Sequence, residues 1–233
     1  MIEFRSATVT APTGDATILH PTTLELSEQR ISIIGGNGSG KSTLARLING
    51  LVAPSSGAVT VSASGGPPLD TMRDGTAVRR LVGFVFTDPA AQLIMPTVVE
   101  DVSLSLRRSH RDKRERHAAA LAALERFGLD ALADRSVHTL SGGQKQLLAL
   151  ASVLTGEPAI VVADEPTTLL DLRNARKIGD LLMGLPQQTV VVTHDLELAA
   201  RAERTLVIDG GRIAFDGAPD TAIAHYRELA AHS

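Results

Sequence analysis

The chain has 233 residues, enough for one large α/β domain or for a core that carries an inserted subdomain. A net charge of −3 argues against a dedicated nucleic-acid binder, and an aromatic content of 3% leaves no base-stacking platform. The absence of cysteine excludes disulfides and thiolate chemistry, and no run approaches the roughly 18 apolar residues of a membrane span. Met1-Ile2-Glu3-Phe4 lacks a basic-then-apolar leader, so no secretion signal is expected.

Short alternating runs, Ala7-Thr8-Val9-Thr10 and Thr23-Leu24-Glu25-Leu26, predict antiparallel strands joined by a turn around Pro12-Thr13-Gly14-Asp15. Arg30-Ile31-Ser32-Ile33-Ile34 predicts a short apolar strand. A helix is expected over residues 42–49, with Gly50 as its stop. Between strand and helix lies Gly35-Gly36-Asn37-Gly38-Ser39-Gly40-Lys41-Ser42, which fits the phosphate-loop pattern G-x-x-x-x-G-K-[ST]. Glycines let backbone N–H groups turn toward phosphate oxygens, and the positive end of the helix dipole favours an anion there. Lys41 would reach the β- and γ-phosphates, the Ser42 hydroxyl would ligate magnesium, and Thr43 would add a contact near the α-phosphate. The plain alternative is a Gly/Ser-rich turn that contains a lysine. The strand before it and the helix after it favour a site for a nucleoside triphosphate.

Residues 57–61 predict another strand, residues 62–68 a surface loop, and residues 82–86 a buried strand. Residues 97 to about 133 read as helical, most strongly over 112–127. The basic run of Arg107, Arg108, Arg111, Lys113, Arg114 and Arg116 is interleaved with Asp112 and Glu115, as on a solvated helix face. Leu140-Ser141-Gly142-Gly143-Gln144 precedes a helix over 145–154. Ser141 there is either an N-cap or part of a second anion site, which would serve a neighbouring subunit. Residues 159–163 and 189–193 are continuous apolar runs, as in parallel strands buried on both faces, with a helix over 173–183 between them. The first run ends in Asp164-Glu165 and the second in His194, at the strand ends where open α/β sheets bind ligands. Asp164 can hold magnesium, Glu165 can polarise a water as general base, and His194 can donate to a γ-phosphate oxygen. The pattern is a phosphate-loop sheet core split by a helical insert, with no internal repeat and no low-complexity linker.

Taken together, these motifs resemble the nucleotide-binding subunits of ABC transporters over almost the whole chain. The resemblance implies an α/β P-loop NTPase of ABC ATPase type, with a RecA-like core, an N-terminal antiparallel β subdomain and an inserted α-helical subdomain. About 1–88 and 157–233 would form the core, and about 89–156 the helical subdomain with its signature motif. It implies ATP and Mg2+ as cofactors and a head-to-tail dimer with a second ATPase subunit, most simply a homodimer. ATP would be sandwiched between Lys41 of one subunit and Ser141, Gly142, Gly143 and Gln144 of the other, with Asp171 in the D-loop that crosses the interface. Residues 86–93, with Thr87, Asp88 and Gln92, are similar to the Q-loop of energy-coupling-factor (ECF) importers. The closest likeness is to the ATPases of dedicated biotin systems, with cobalt or nickel systems next. Integral membrane coupling and substrate-binding subunits are then expected as partners, and the cytoplasmic face of the membrane as location. A scaffold ATPase in cofactor assembly or cell division is the rival reading. Three positions depart from the family pattern: Thr87 replaces the usual glutamine, Ala11 stands where an aromatic stacks on adenine, and Leu147 replaces a basic residue.

Overall fold

The computed structural model describes residues 1–14 and 16–231; Asp15 of the predicted turn lies outside the described residues. The chain divides into two compact units. One comprises residues 1–84, 159–165 and 181–233, and the other residues 85–158 and 166–180.

In the first unit, β1 (Ile2–Thr10) pairs antiparallel with β2 (Thr17–Leu26), as their alternation predicts. Adding β4 (Ser56–Val61) and β5 (Leu69–Asp70) gives a sheet of order β2-β1-β4-β5. The inward side chains of β1 are Ile2, Phe4, Ala7 and Val9, so the two-residue period slips once. A register shift between Phe4 and Ala7 takes up the extra residue, and Ser6 there has φ 47. This is a β-bulge, which keeps both halves of the strand facing the core.

The second sheet has the order β10-β9-β3-β8-β7-β6. Its strands are β3 (Arg30–Gly35), β6 (Val82–Val85), β7 (Ile160–Asp164), β8 (Gln188–Val192), β9 (Arg204–Asp209) and β10 (Arg212–Gly217). β3 runs parallel to β8 and β9, and β7 parallel to β8. The apolar runs of β3, β7 and β8 are buried along their length, as a doubly covered parallel sheet requires. Strand polarity brings Gly35, Asp164 and the residues after Val192 to one end of this sheet. The Arg30 guanidinium donates to the carbonyls of Met183 (2.9 Å), Leu185 and Gln187 (2.9 Å), satisfying the backbone just before β8. Helices α1 (Lys41–Ile48), α2 (Gly75–Leu81), α7 (Leu196–Ala199) and α8 (Pro219–Ala231) complete the unit.

In the second unit, α3 (Val98–Ser105) packs against α4 (Lys113–Phe127) and α5 (Gly142–Leu154). The helical stretch expected over 97–133 is therefore broken. Asp112 adopts an extended conformation and accepts from the N–H groups of Arg114 (2.8 Å) and Glu115 (2.9 Å), starting a new helix. Arg107, Arg108, Arg111, Lys113 and Arg114 are exposed, as a solvated face predicts. Buried Asp101 accepts from the N–H groups of Ile94 (3.0 Å) and Met95 (3.2 Å) and from Ser152 Oγ (2.9 Å), fixing the approach to α3. Most of α6 (Leu172–Met183) belongs to this unit as well.

The carboxyls of Asp70, Asp112 and Asp171 all lie below their usual pKa, chiefly through backbone N–H donors at Arg73, Glu115 and Asn174 respectively. A folded pKa below the unfolded one means that the unfolded chain binds more protons. The contribution is therefore complete above the usual carboxylate range and is lost as pH falls through it. Melting followed by circular dichroism should show Tm falling below about pH 4. The fall should be shallower for Asp112→Asn, which keeps a capping oxygen but does not titrate.

Candidate nucleotide site

The phosphate loop begins where β3 meets β9. A Cβ at Gly35 would lie 2.1 Å from the Ile208 carbonyl oxygen, and the residue has φ +151, so only glycine fits. The chain then folds back on itself. Ser39 N–H donates to the Gly36 carbonyl (3.2 Å), and Gly211 N–H, from the β9–β10 turn, donates to the Ser39 carbonyl (2.9 Å). Helix α1 starts at Lys41 behind Gly40, with no side-chain cap and no acidic residue in its first turn. By contrast α3, α4 and α5 are capped by Thr97, Asp112 and Ser141. An uncapped N-terminus has backbone donors aimed at whatever occupies the loop.

Lys41 is 6% exposed, and its ammonium donates to the Gly35 (2.9 Å) and Gly36 (2.8 Å) carbonyls. Burial holds its pKa below the usual lysine value, against the opposing pull of Glu165 and Asp164. Asp164, at the end of β7, is fully buried. Its Oδ1 accepts from Ser42 Oγ at 2.8 Å, and its Oδ2 lies 3.3 Å from Arg46 Nη2. Glu165 has φ 52, an unusual conformation for a residue with a side chain, and its N–H donates to the Val192 carbonyl (2.9 Å). Its Oε2 lies 2.7 Å from His194 Nδ1. A carboxylate only accepts, so Nδ1 carries the proton, and in the neutral ring Nε2 is then an acceptor. Donation from His194 to a phosphate oxygen therefore needs either the imidazolium or release of Glu165. Thr193 Oγ1 accepts from the Asp195 N–H (3.0 Å), and Asp195 caps α7, which fixes the backbone on both sides of His194.

These residues fit a magnesium-bound polyphosphate. A Cβ at Gly36 or Gly38 would meet nothing within 4 Å, so the loop opens onto clear space. Ser39 Oγ is buried without a hydrogen-bond partner. Among the described residues no cluster of three or more His, Cys, Asp or Glu could hold a metal by itself. That suits Mg2+, which is commonly bound by one or two protein oxygens together with phosphate oxygens and water. Ser42 Oγ and Asp164 Oδ1, 2.8 Å apart, are oxygens of the kind such an ion would take. Thr43 is half-buried on α1, Asn37 is exposed in the loop, and Ala11 closes the β1–β2 turn by donating to the Ala16 carbonyl (2.7 Å).

The remaining sequence-predicted residues lie in the second unit. Ser141 and Gln144 form a reciprocal capping box at α5: Ser141 Oγ accepts from Gln144 N–H (3.3 Å) and Gln144 Oε1 accepts from Ser141 N–H (2.9 Å). Asp171 accepts from Asn174 through both its N–H (2.8 Å) and its side-chain amide (2.8 Å). Asn174 in turn packs so closely on Gly143 that a Cβ there would lie 2.6 Å from Asn174 Cγ. Asp88 caps a short 3-10 turn (Pro89–Ala91), and Gln92 Oε1 accepts from the Phe86 N–H (3.2 Å), on either side of Thr87. Leu147 is buried, which accounts for an apolar residue at that position.

Sequence reasoning missed Arg46, Asn174 and the Asp209-Gly210-Gly211 turn. Arg46 stands one helical turn after Ser42, and a Gly-Gly pair between alternating runs is a hairpin signal; both were legible. The pairing of Asn174 with Gly143 has no local signal.

Comparison with known proteins supplies the family. The family model for ABC transporters matches residues 19–168. A biotin transport ATP-binding protein of Rhizobium etli, BioM, is 46% identical over 99% of both chains. CbiO1 of Clostridium perfringens, part of the ABC transporter complex cbiONQ, superposes with a TM-score of 0.82 at 31% identity, covering 98% of this chain and 92% of that one. An ATP-binding cassette in a dimeric post-hydrolysis state, bound to ADP and Pi, gives 0.82 at 33% identity, over 94% and 99% of the two chains. The chain belongs to the ABC transporter family, as one of its ATP-binding, ATP-hydrolysing subunits.

Proposed function

We propose that this chain powers an ECF-type importer for a vitamin, biotin foremost, working as a homodimer docked on integral membrane subunits at the cytoplasmic face. The observation that carries the reading is the assembly of Lys41, Ser42, Asp164, Glu165 and His194 at one end of the sheet. Full-length likeness to a biotin transport subunit supports the substrate and favours transport over a scaffold role. Among the described residues no helix is long and apolar enough to cross a membrane, which fits a peripheral subunit.

Backbone N–H groups of the loop and of the uncapped start of α1, with the Lys41 ammonium, bind the phosphates, once Lys41 exchanges the Gly35 and Gly36 carbonyls for phosphate oxygens. Bound Mg2+ supplies charge neutralisation for the phosphoryl group, with Ser42 and Asp164 holding it. Glu165 takes the proton from the attacking water, oriented by its contact with His194. Ser141, Gly142, Gly143 and Gln144 complete the partner's site across a head-to-tail dimer, and Asp171 sets the D-loop between the two. A dimeric ATP-binding cassette of the same fold supports that arrangement. The loop of Thr87, Asp88 and Gln92 carries the coupling to the membrane subunits.

Glu165→Gln should lower steady-state turnover by about 10²–10⁴-fold, the usual contribution of a general base. It should also accumulate an ATP-bound dimer on size exclusion; turnover at the parent rate would remove Glu165 from the mechanism. Gly36→Ala separates cradle from fold, because its Cβ points into clear space. Its Tm should stay near the parent value while ATP affinity, measured by fluorescent-nucleotide titration, falls at least tenfold by an order-of-magnitude expectation. For the transport reading, a tagged chain expressed in its native host should co-purify with small integral membrane proteins in mild detergent, and cells should take up labelled biotin. Recovery with soluble partners alone would point to the scaffold role.

A further inference from the structure

We propose that Arg46 is a positioning residue, the resident counter-cation of Asp164, which shares that carboxylate with the divalent metal and so weakens metal binding. This rests on the reading of Asp164 as the metal-holding carboxylate. Asp164 is fully buried, and a buried carboxylate needs a compensating charge. Two cations stand near it. Lys41 spends its ammonium on the Gly35 and Gly36 carbonyls, at 2.9 and 2.8 Å. Of the two, Arg46 is the one that pairs with the carboxylate itself, Nη2 to Oδ2 at 3.3 Å.

The pairing is built by helix geometry. Ser42 and Arg46 are four residues apart on α1 and so share one face. The hydroxyl takes Oδ1 and the guanidinium takes Oδ2, one turn apart, so both oxygens are engaged before any metal arrives. Arg46 Nε is buried without a hydrogen-bond partner, a cost that ordinary surface arginines avoid. The Arg46 side chain is 43% exposed, so its pull on the carboxylate is moderated by solvent and is expected to weaken with salt. A positive charge at this distance opposes a second cation on the same carboxylate. The site then favours metal that arrives with nucleotide phosphates over metal alone.

The test uses the full chain carrying Glu165→Gln, so that ATP persists. Mn2+ affinity of the ATP complex is measured by electron paramagnetic resonance, and Tm is measured in chelator without nucleotide. Arg46→Gln should tighten Mn2+ binding by about three- to tenfold, the effect expected of one partly screened charge, and lower the metal-free Tm. Arg46→Lys should return both values toward the parent, since a point charge can replace the guanidinium at a single contact. An unchanged or weaker Mn2+ affinity in Arg46→Gln overturns the inference. A parent complex whose Mn2+ affinity is no greater than that of ATP in solution, and is unaffected by Asp164→Asn, overturns the metal-holding reading of Asp164 and the inference with it.

Discussion

The contact on which the site depends is the close approach of Gly35 to the Ile208 carbonyl. No side chain fits between them, and the strand β3 therefore ends flush against β9. That placement lets the loop turn back, brings Gly211 N–H onto the Ser39 carbonyl, and starts α1 with its N-terminus toward the loop. Everything carried on α1 follows from it: Lys41 over the loop, and Ser42 and Arg46 on the face toward Asp164. The strand beneath is rigid because Ile31, Ile33 and Ile34 are fully buried, each burial worth roughly 1.5–3 kcal/mol. That stabilisation offsets an uncapped helix, a desolvated ammonium and the left-handed backbone of Glu165, features that cost on the order of 1 kcal/mol or more apiece.

Charge balance explains why the site holds together before nucleotide arrives. Two cations, buried Lys41 and part-exposed Arg46, stand beside two carboxylates, Asp164 and Glu165. Lys41 reaches backbone carbonyls, Asp164 reaches Ser42 and Arg46, and Glu165 reaches His194. Each side chain is thus ordered by an internal partner. At His194 the bond to Glu165 fixes, in the neutral ring, the tautomer whose Nε2 accepts.

Much of this was legible in the sequence, and the reasons differ from place to place. The runs ending at Ile34, Ala163 and Thr193 are continuously apolar, and only buried strands tolerate that pattern, so the sheet and the positions of Asp164 and His194 followed. The β1 bulge was hidden, because a slip at Ser6 looks like noise in an alternating pattern until pairing is known. The helical stretch over 97–133 was read as one because Asp112 suits a helix face and a helix start equally well. In hairpin β9–β10 the Gly210-Gly211 pair carries the signal, while β10, which alternates exposed and half-buried residues, has no buried apolar face to reinforce it. Leu147 was unexplained in the sequence, and burial on α5 supplies its reason. Asn174 could not be found locally, since its role depends on Gly143, thirty-one positions away in the chain.

In the second unit Ser141 takes the N-cap role that the sequence offered. Its oxygen accepts the Gln144 N–H and so closes a capping box, which stabilises the start of α5. A hydroxyl has one donor and two acceptor sites, so accepting the Gln144 N–H leaves its proton unspent. The cap also aims that hydroxyl, because the box fixes the Ser141 backbone from both directions. Asn174 adds a third restraint. Held twice by Asp171, it lies against Gly143 where no Cβ fits, so the start of α6 and the start of α5 are locked in register. Asp171, Asn174 and Gly143 thereby form one continuous run of contacts. The glycine at 143 serves close packing within its own unit, as Gly35 does against the Ile208 carbonyl, while Gly36 and Gly38 face open space.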